Sequence, residues 1–181
     1  MFKQPFFLTL FLFLAGCSSL QVHSDYDPAF DFGPLSSFAV VSPDRGKGST
    51  LTQSRIADAI TERMVQKGYK TAGRSDADFI ILFHTDITTK SQVVTDYQTV
   101  GFYPYYGYAY GTVTVPVQHE YQYDEAKIII DALNPDGNRI FWRAVSSDRL
   151  KSFDTPQERI AYINDVVREM LKSFPNKSKE P

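Results

Sequence analysis

Apolar positions alternate with polar ones in some stretches of this chain and recur every third or fourth residue in others, and these two periods separate strands from helices. Residues 20–26 alternate weakly before Asp27-Pro28 interrupts them, which predicts a short first strand and a turn. Ser37–Val41 reads as a second strand, and residues 42–50, with Pro43, Gly46 and Gly48, read as a surface loop. A helix is predicted next. Ile56, Ala59, Ile60 and Met64 form one stripe, Thr50 or Thr52 can cap its start, and Gly68 falls where a left-handed terminal residue is wanted. Residues 77–87 begin as an apolar run and become alternating, as in a central strand covered on both faces near its start. A second long strand is predicted over residues 117–133, with Ile128-Ile129-Ile130 as its most buried part. Asn134-Pro135-Asp136-Gly137 fits a type I turn closed by a glycine bulge, so residues 139–147 should return antiparallel as a hairpin. Thr155-Pro156-Gln157-Glu158 is a capping box, and Ile160, Ile163, Val166, Val167, Met170, Leu171 and Phe174 follow it at helical spacing. The pattern predicts an α+β fold: a two-layer sandwich of about five strands, mixed but mostly antiparallel, with two helices packed on one face. One domain should span residues 22–175, followed by a polar, frayed tail over 176–181.

The N-terminus follows a different logic. Met1-Phe2-Lys3 carries one positive charge, residues 5–14 carry none, and Ala15 and Gly16 are small residues before Cys17. This is the layout of a signal peptide, and the apolar run is shorter than the roughly 20 residues that a membrane-spanning helix needs. Leu14-Ala15-Gly16-Cys17 resembles the bacterial lipoprotein box. That resemblance implies cleavage after residue 16, a lipid on the Cys17 thiol and amine, and a short tether over residues 17–21. Ser18, where inner-membrane lipoproteins carry aspartate, implies outer-membrane delivery with the domain facing the periplasm. Cys17 is also the only cysteine, so no internal disulfide and no multi-cysteine metal or redox site can form.

Composition narrows the chemistry further. Charged residues make up 22% and hydrophobic ones 43%, an ordinary globular balance. The net charge of −2 leaves no basic surplus for a phosphate backbone, so nucleic acid is not an expected partner. Six of the eleven tyrosines fall within residues 97–110: Tyr97, Tyr103, Tyr105, Tyr106, Tyr108 and Tyr110. With Phe102 and the interleaved glycines they read as an irregular insert over 97–116, with aromatic rings placed to touch lipid headgroups, glycans or an envelope protein. The alternative reading is a loose insert packed over the sheet.

For enzymatic chemistry the best set is His84 with Asp86, two apart on one strand face, joined by His119 and Glu120. A hydrolase or metal-dependent enzyme would need His84, Asp86 and His119 to converge. The H-x-x-x-H and H-E-x-x-H spacings are absent, and no catalytic residue, metal or cofactor is predicted. Gly48-Ser49 lacks the flanks of a nucleophile elbow, and residues 46–50 lack the upstream glycine of a phosphate loop. Trp142-Arg143 reads as an anchor of the hairpin.

In order along the chain stand Asp25-Tyr26-Asp27, Phe30-Asp31-Phe32, Ser37-Phe38-Ala39-Val40, Lys67-Gly68-Tyr69, Asp76-Ala77-Asp78 and Ile140-Phe141-Trp142-Arg143-Ala144. Behind a lipoprotein box, this series resembles the bacterial lipoproteins of domain of unknown function 4136. The resemblance covers nearly the whole mature chain, with Ala144 where the family often has glycine. It implies architecture and an envelope location and nothing catalytic. The expected protein is a membrane-anchored, non-enzymatic binding or envelope-assembly module.

Overall fold

The computed structural model describes residues 19–42, 51–102 and 111–177. Six strands and two helices follow in the order β1 (Gln21–Tyr26), β2 (Ser37–Val41), α1 (Leu51–Gln66), β3 (Lys70–Thr71), β4 (Phe79–Phe102), β5 (Gly111–Leu133), β6 (Ile140–Arg149) and α2 (Pro156–Met170). They form one mixed sheet in the order β1-β6-β5-β4-β2-β3. The expected fold class is therefore found, with six strands instead of five. The added strand is β3, two residues that pair parallel to Ser37 and Phe38, too short to leave any periodicity in the sequence.

Both helices pack on one side of the sheet. Ile56, Ile60 and Met64 of α1 and Ile163, Val167 and Met170 of α2 share one core with Phe79, Ile81 and Phe83, the alternate positions that point to one face of β4. Phe141 and Trp142 are neighbours in β6, yet both are 1% exposed and both belong to this core. Strict alternation forbids that; a register shift at Ala132/Leu133 allows it, because two residues of β6 there oppose one of β5. Trp142 is thus the anchor expected of it. Arg143 turns to the open face, where its Nε and Nη2 donate to buried Asp131 at 2.5 and 2.8 Å.

The element ends follow local rules. At the C-terminus of α1, Gly68 has φ +97°, its N–H donates to the Val65 carbonyl, and the Tyr69 N–H donates to the Met64 carbonyl. This pairing satisfies two carbonyls that the helix leaves open and brings Tyr69 and Met64, both buried, into the core. Any side chain at Gly68 would be strained at that φ and would stand 3.2 Å from Lys177 Cβ. Gly68→Ala is expected to destabilise the domain by about 1–2 kcal/mol, read as a lower urea midpoint with an unchanged slope.

At α2 the Thr155 hydroxyl accepts the Glu158 N–H at 3.2 Å, and the Glu158 carboxylate accepts the Asp154 N–H at 3.2 Å. The helix ends at Met170, and a single 3-10 turn (Leu171–Ser173) delivers Phe174 to the core. Asn176 and Lys177, expected as part of a frayed tail, are instead docked: Lys67 Nζ donates to the Asn176 side chain, and the Lys177 N–H donates to the Lys67 carbonyl, while residues 178–181 lie outside the described residues. The Gly137 N–H closes the β5–β6 turn on the Asn134 carbonyl with φ +74°, as the turn sequence requires.

Candidate functional site

The two long strands dominate the molecule. β4 and β5 pair without interruption from Ile80↔Leu133 to Phe102↔Gly111, but β2 accompanies β4 only as far as Leu82 and β6 accompanies β5 only as far as Glu125. Beyond the Thr88↔Glu125 pair a two-stranded arm therefore runs on alone. At about 3.4 Å per residue it extends roughly 48 Å past the sheet. Among the described residues, neither edge of the arm has a further strand partner.

This corrects the expectation of an irregular insert over 97–116. Residues 97–102 are strand, and so are 111–116, while β4 runs fifteen residues beyond the predicted end at Ile87. The physical reason is legible afterwards: Thr112-Val113-Thr114-Val115 alternates, and β-branched residues fit a pleated surface better than a loop. The glycines and tyrosines interleaved over residues 97–110 dilute that pattern in the sequence.

Pairing fixes which side chains share a face. Val94, Val100, Val113, Val115, Val117, Tyr121 and Tyr123 fall on the face continuous with the open side of the sheet. Thr89, Ser91, Val93, Thr95, Tyr97, Thr99, Thr112 and Thr114 fall on the other. One face is thus richer in apolar and aromatic residues, and both are wet. Tyr97 is 74% exposed, and Val93, Val100 and Tyr121 are also exposed. Phe102 is the last residue of β4; its side chain, together with Tyr103, Tyr105, Tyr106, Tyr108 and Tyr110, lies outside the described residues, as does Cys17.

The set His84, Asp86 and His119 does not converge. His84 opposes Ile129 whereas His119 opposes Val94, so the imidazoles stand ten ladder positions apart, about 33 Å along the strands. A shared metal, with bonds near 2 Å, cannot bridge that separation. His119 Nε2 lies 3.8 Å from Asp96 instead, on the arm. Among the described residues no group of three or more metal-ligating side chains is gathered.

The arm's direction relative to the N-terminus is set by the ladder. Gln21 pairs with Ser147, Ser147 with Lys127, and β1 runs parallel to β5 because both are antiparallel to β6. Residues upstream of Gln21 therefore leave the sheet from the end that carries the arm. Cys17, four residues further, can reach at most about 14 Å past Gln21. Lys127 stands level with Gln21, and the sixteen residues from Lys127 to Gly111 carry the arm about 54 Å from that level. The arm overshoots the furthest reach of Cys17 by about 40 Å.

Beside this exit lies a polar hub that nothing in the residue pattern announced. Asp148 is 5% exposed and accepts hydrogen bonds from the Ser19 hydroxyl and the Tyr162 hydroxyl, the latter at 2.6 Å, with Lys151 Nζ at 2.9 Å. Burial pushes the Asp148 carboxyl up, but these hydrogen bonds and the Lys151 charge outweigh it and hold the carboxyl below its ordinary 3.8. Burial and the Asp148 carboxylate push the Tyr162 hydroxyl up. At the opposite end of the sheet Asp78 is also held low, by hydrogen bonds from the Ser36 and Ser37 N–H groups and the Ser37 hydroxyl, each at 2.9 Å.

Depressed carboxylates stabilise the folded state fully above their unfolded pKa, and that stability disappears as pH falls through the lower folded values. The urea midpoint should accordingly be flat near neutrality and fall on acidification below about pH 4. Asp148→Asn presents an amide donor to three donors, so it should lower stability at pH 7 by about 1–3 kcal/mol and make the acid decline shallower.

Fold and arm together define the class of protein: a single α+β sandwich domain whose N-terminal segment and two-stranded arm leave from the same end. The chain belongs to the family described as domain of unknown function (DUF4136), whose family model matches residues 22–176. No curated protein matches it. Among solved structures it is similar to a PDZ domain protein from Parabacteroides distasonis, at 14% identity and a TM-score of 0.52. That match covers 90% of this chain, which spans 38% of the other protein's length, and it shows a shared fold alone. A PelC dodecamer from Paraburkholderia phytofirmans matches at 9% identity and a TM-score of 0.48, over 89% of this chain and 99% of that one. A minor lipoprotein from Acinetobacter baumannii matches at 10% identity and a TM-score of 0.39, over 76% of this chain and 91% of that one. Neither of the last two is close enough to carry an argument.

Proposed function

We propose that this protein is a cell-envelope lipoprotein, anchored through lipid on Cys17 at the outer membrane and facing the periplasm, whose β4–β5 arm is its contact element. It acts as a binding or assembly module, without catalysis. One observation carries the reading: the arm and the chain leading to Cys17 leave the sheet from the same end, and the arm is far longer than that short chain. An anchor at Cys17 therefore forces the arm to lie along the membrane or to enter it. Tyr121 and Tyr123 on one face of the arm, or Tyr97 on the other, then meet the interfacial zone, where an apolar ring with a polar end is favoured. The two-stranded arm has no core of its own, and such ribbons are marginal in water, so a surface that covers one face stabilises it.

Flotation with vesicles tests the reading. The unlipidated chain, residues 19–181, is expected to float with phospholipid vesicles, and the same chain lacking residues 97–116 is expected to stay at the bottom. Equal failure of both to float would remove the membrane-surface role of the arm.

A further inference from the structure

Between α1, α2 and the root of the arm lies an open groove of about 590 Å³. Its apolar lining includes Ile56, Ile87, Ile128, Leu150, Phe153 and Ile163. Ile87 is 61% exposed and Leu150 is 50% exposed, so the groove leaves large apolar side chains in water at a place where the core could have closed over them. The Thr85↔Ile128 and Ile87↔Ala126 pairs form its floor on the helix-facing side of the sheet.

What covers this groove is indicated by where the chain enters the fold. Ser19 is hydrogen bonded to Asp148, and the other two groups bound to that carboxylate, Tyr162 and Lys151, line the groove. Cys17 is two residues upstream of Ser19, at most about 7 Å away. A fatty chain borne on Cys17 thus starts at the rim of an apolar groove of matching chemistry. Resting on the reading of Cys17 as the lipidated residue, we infer that this groove holds one of the acyl chains attached there, while the others enter the bilayer. The Ser19–Asp148 bond keeps the attachment point at the rim, and the occupied groove presses this end of the domain against the membrane. The arm then leaves at a fixed inclination instead of swinging about a four-residue leash.

The test uses the full-length protein made in cells fed a diazirine-bearing fatty acid and kept in its own membranes. Intact mass first reports whether Cys17 carries lipid. On irradiation, an acylated chain is expected to give adducts on peptides containing Ile87, Leu150 and Phe153, and these adducts should be lost in Ile87→Glu and in Phe153→Glu. Ile87 is exposed and Phe153 lies outside the core cluster, so both variants keep the fold. An acylated chain with adducts confined to phospholipid or to residues 18–20 would overturn the groove assignment and leave the anchor standing. A chain without lipid on Cys17 would overturn both.

Discussion

Phe79→Ala is expected to lower the unfolding free energy by about 3–5 kcal/mol, the largest single-residue loss in the domain. Phe79 has no solvent exposure and is the first residue of β4. Its ring meets four others: Phe38 at 6.0 Å, Tyr69 at 5.5 Å, Phe141 at 6.1 Å and Phe174 at 5.8 Å between centroids. Those partners come from β2, the turn between α1 and β3, β6 and the segment after α2. Removing the ring leaves a cavity that each element lines and that none can fill without leaving its own register, so collapse is restricted and the upper part of the range applies. Urea unfolding followed by the fluorescence of Trp142, whose ring lies 5.1 Å from Phe174, reports the loss directly. A change below about 1 kcal/mol would mean that this aromatic cluster is not the keystone of the core.

The second large effect is the opposite in kind. Replacing residues 90–123 by Asn-Gly, so that Thr89 and Asp124 close a tight hairpin, is expected to change the stability of the domain by no more than about 0.5 kcal/mol. The core cluster takes nothing from β4 beyond Phe83 and nothing from β5 before Ile128, so the excised segment supports no core residue. The side-chain interactions with the rest of the domain that the excision removes lie on the periphery: the Lys90–Glu125 ion pair, the Arg149 hydrogen bond to Gln92 and the Arg149 guanidinium over the Tyr123 ring. Glu125 is partly buried but keeps Lys127 at 3.5 Å as a partner after the excision, and the Lys90 and Arg149 ends are at the surface, so their loss costs little. The same excision should abolish vesicle binding. A domain that unfolds without the arm would show that the arm is a structural part and not a contact element.

The contrast between those two predictions follows how legible each region is in the sequence. Core elements announce themselves because burial imposes a period: Ile56, Ile60 and Met64 define α1, and Ile163, Val167 and Met170 define α2. Gly68 and the Asn134 to Gly137 turn are legible for a different reason, since only a few residue types tolerate a positive φ. The arm is less legible. No core selects one face of residues 88–102, so threonine and valine appear on both faces and the alternation is diluted. The Asp148 hub and the groove are not legible at all, because Ser19, Asp148 and Tyr162 meet only after β1, β6 and α2 have packed. The His84, Asp86 and His119 set failed because strand spacing fixes which face a residue takes and says nothing of distance along the ladder.

In the proposed function the arm works at the membrane surface to which Cys17 holds the domain. A photo-crosslinking amino acid at Tyr97, compared with the same probe at exposed Arg74 beyond the opposite end of the sheet, tests it most directly in native envelopes. Lipid or membrane-protein adducts are expected from position 97 and none from position 74. Equal labelling from both positions, or labelling of soluble periplasmic proteins from position 97, would contradict it.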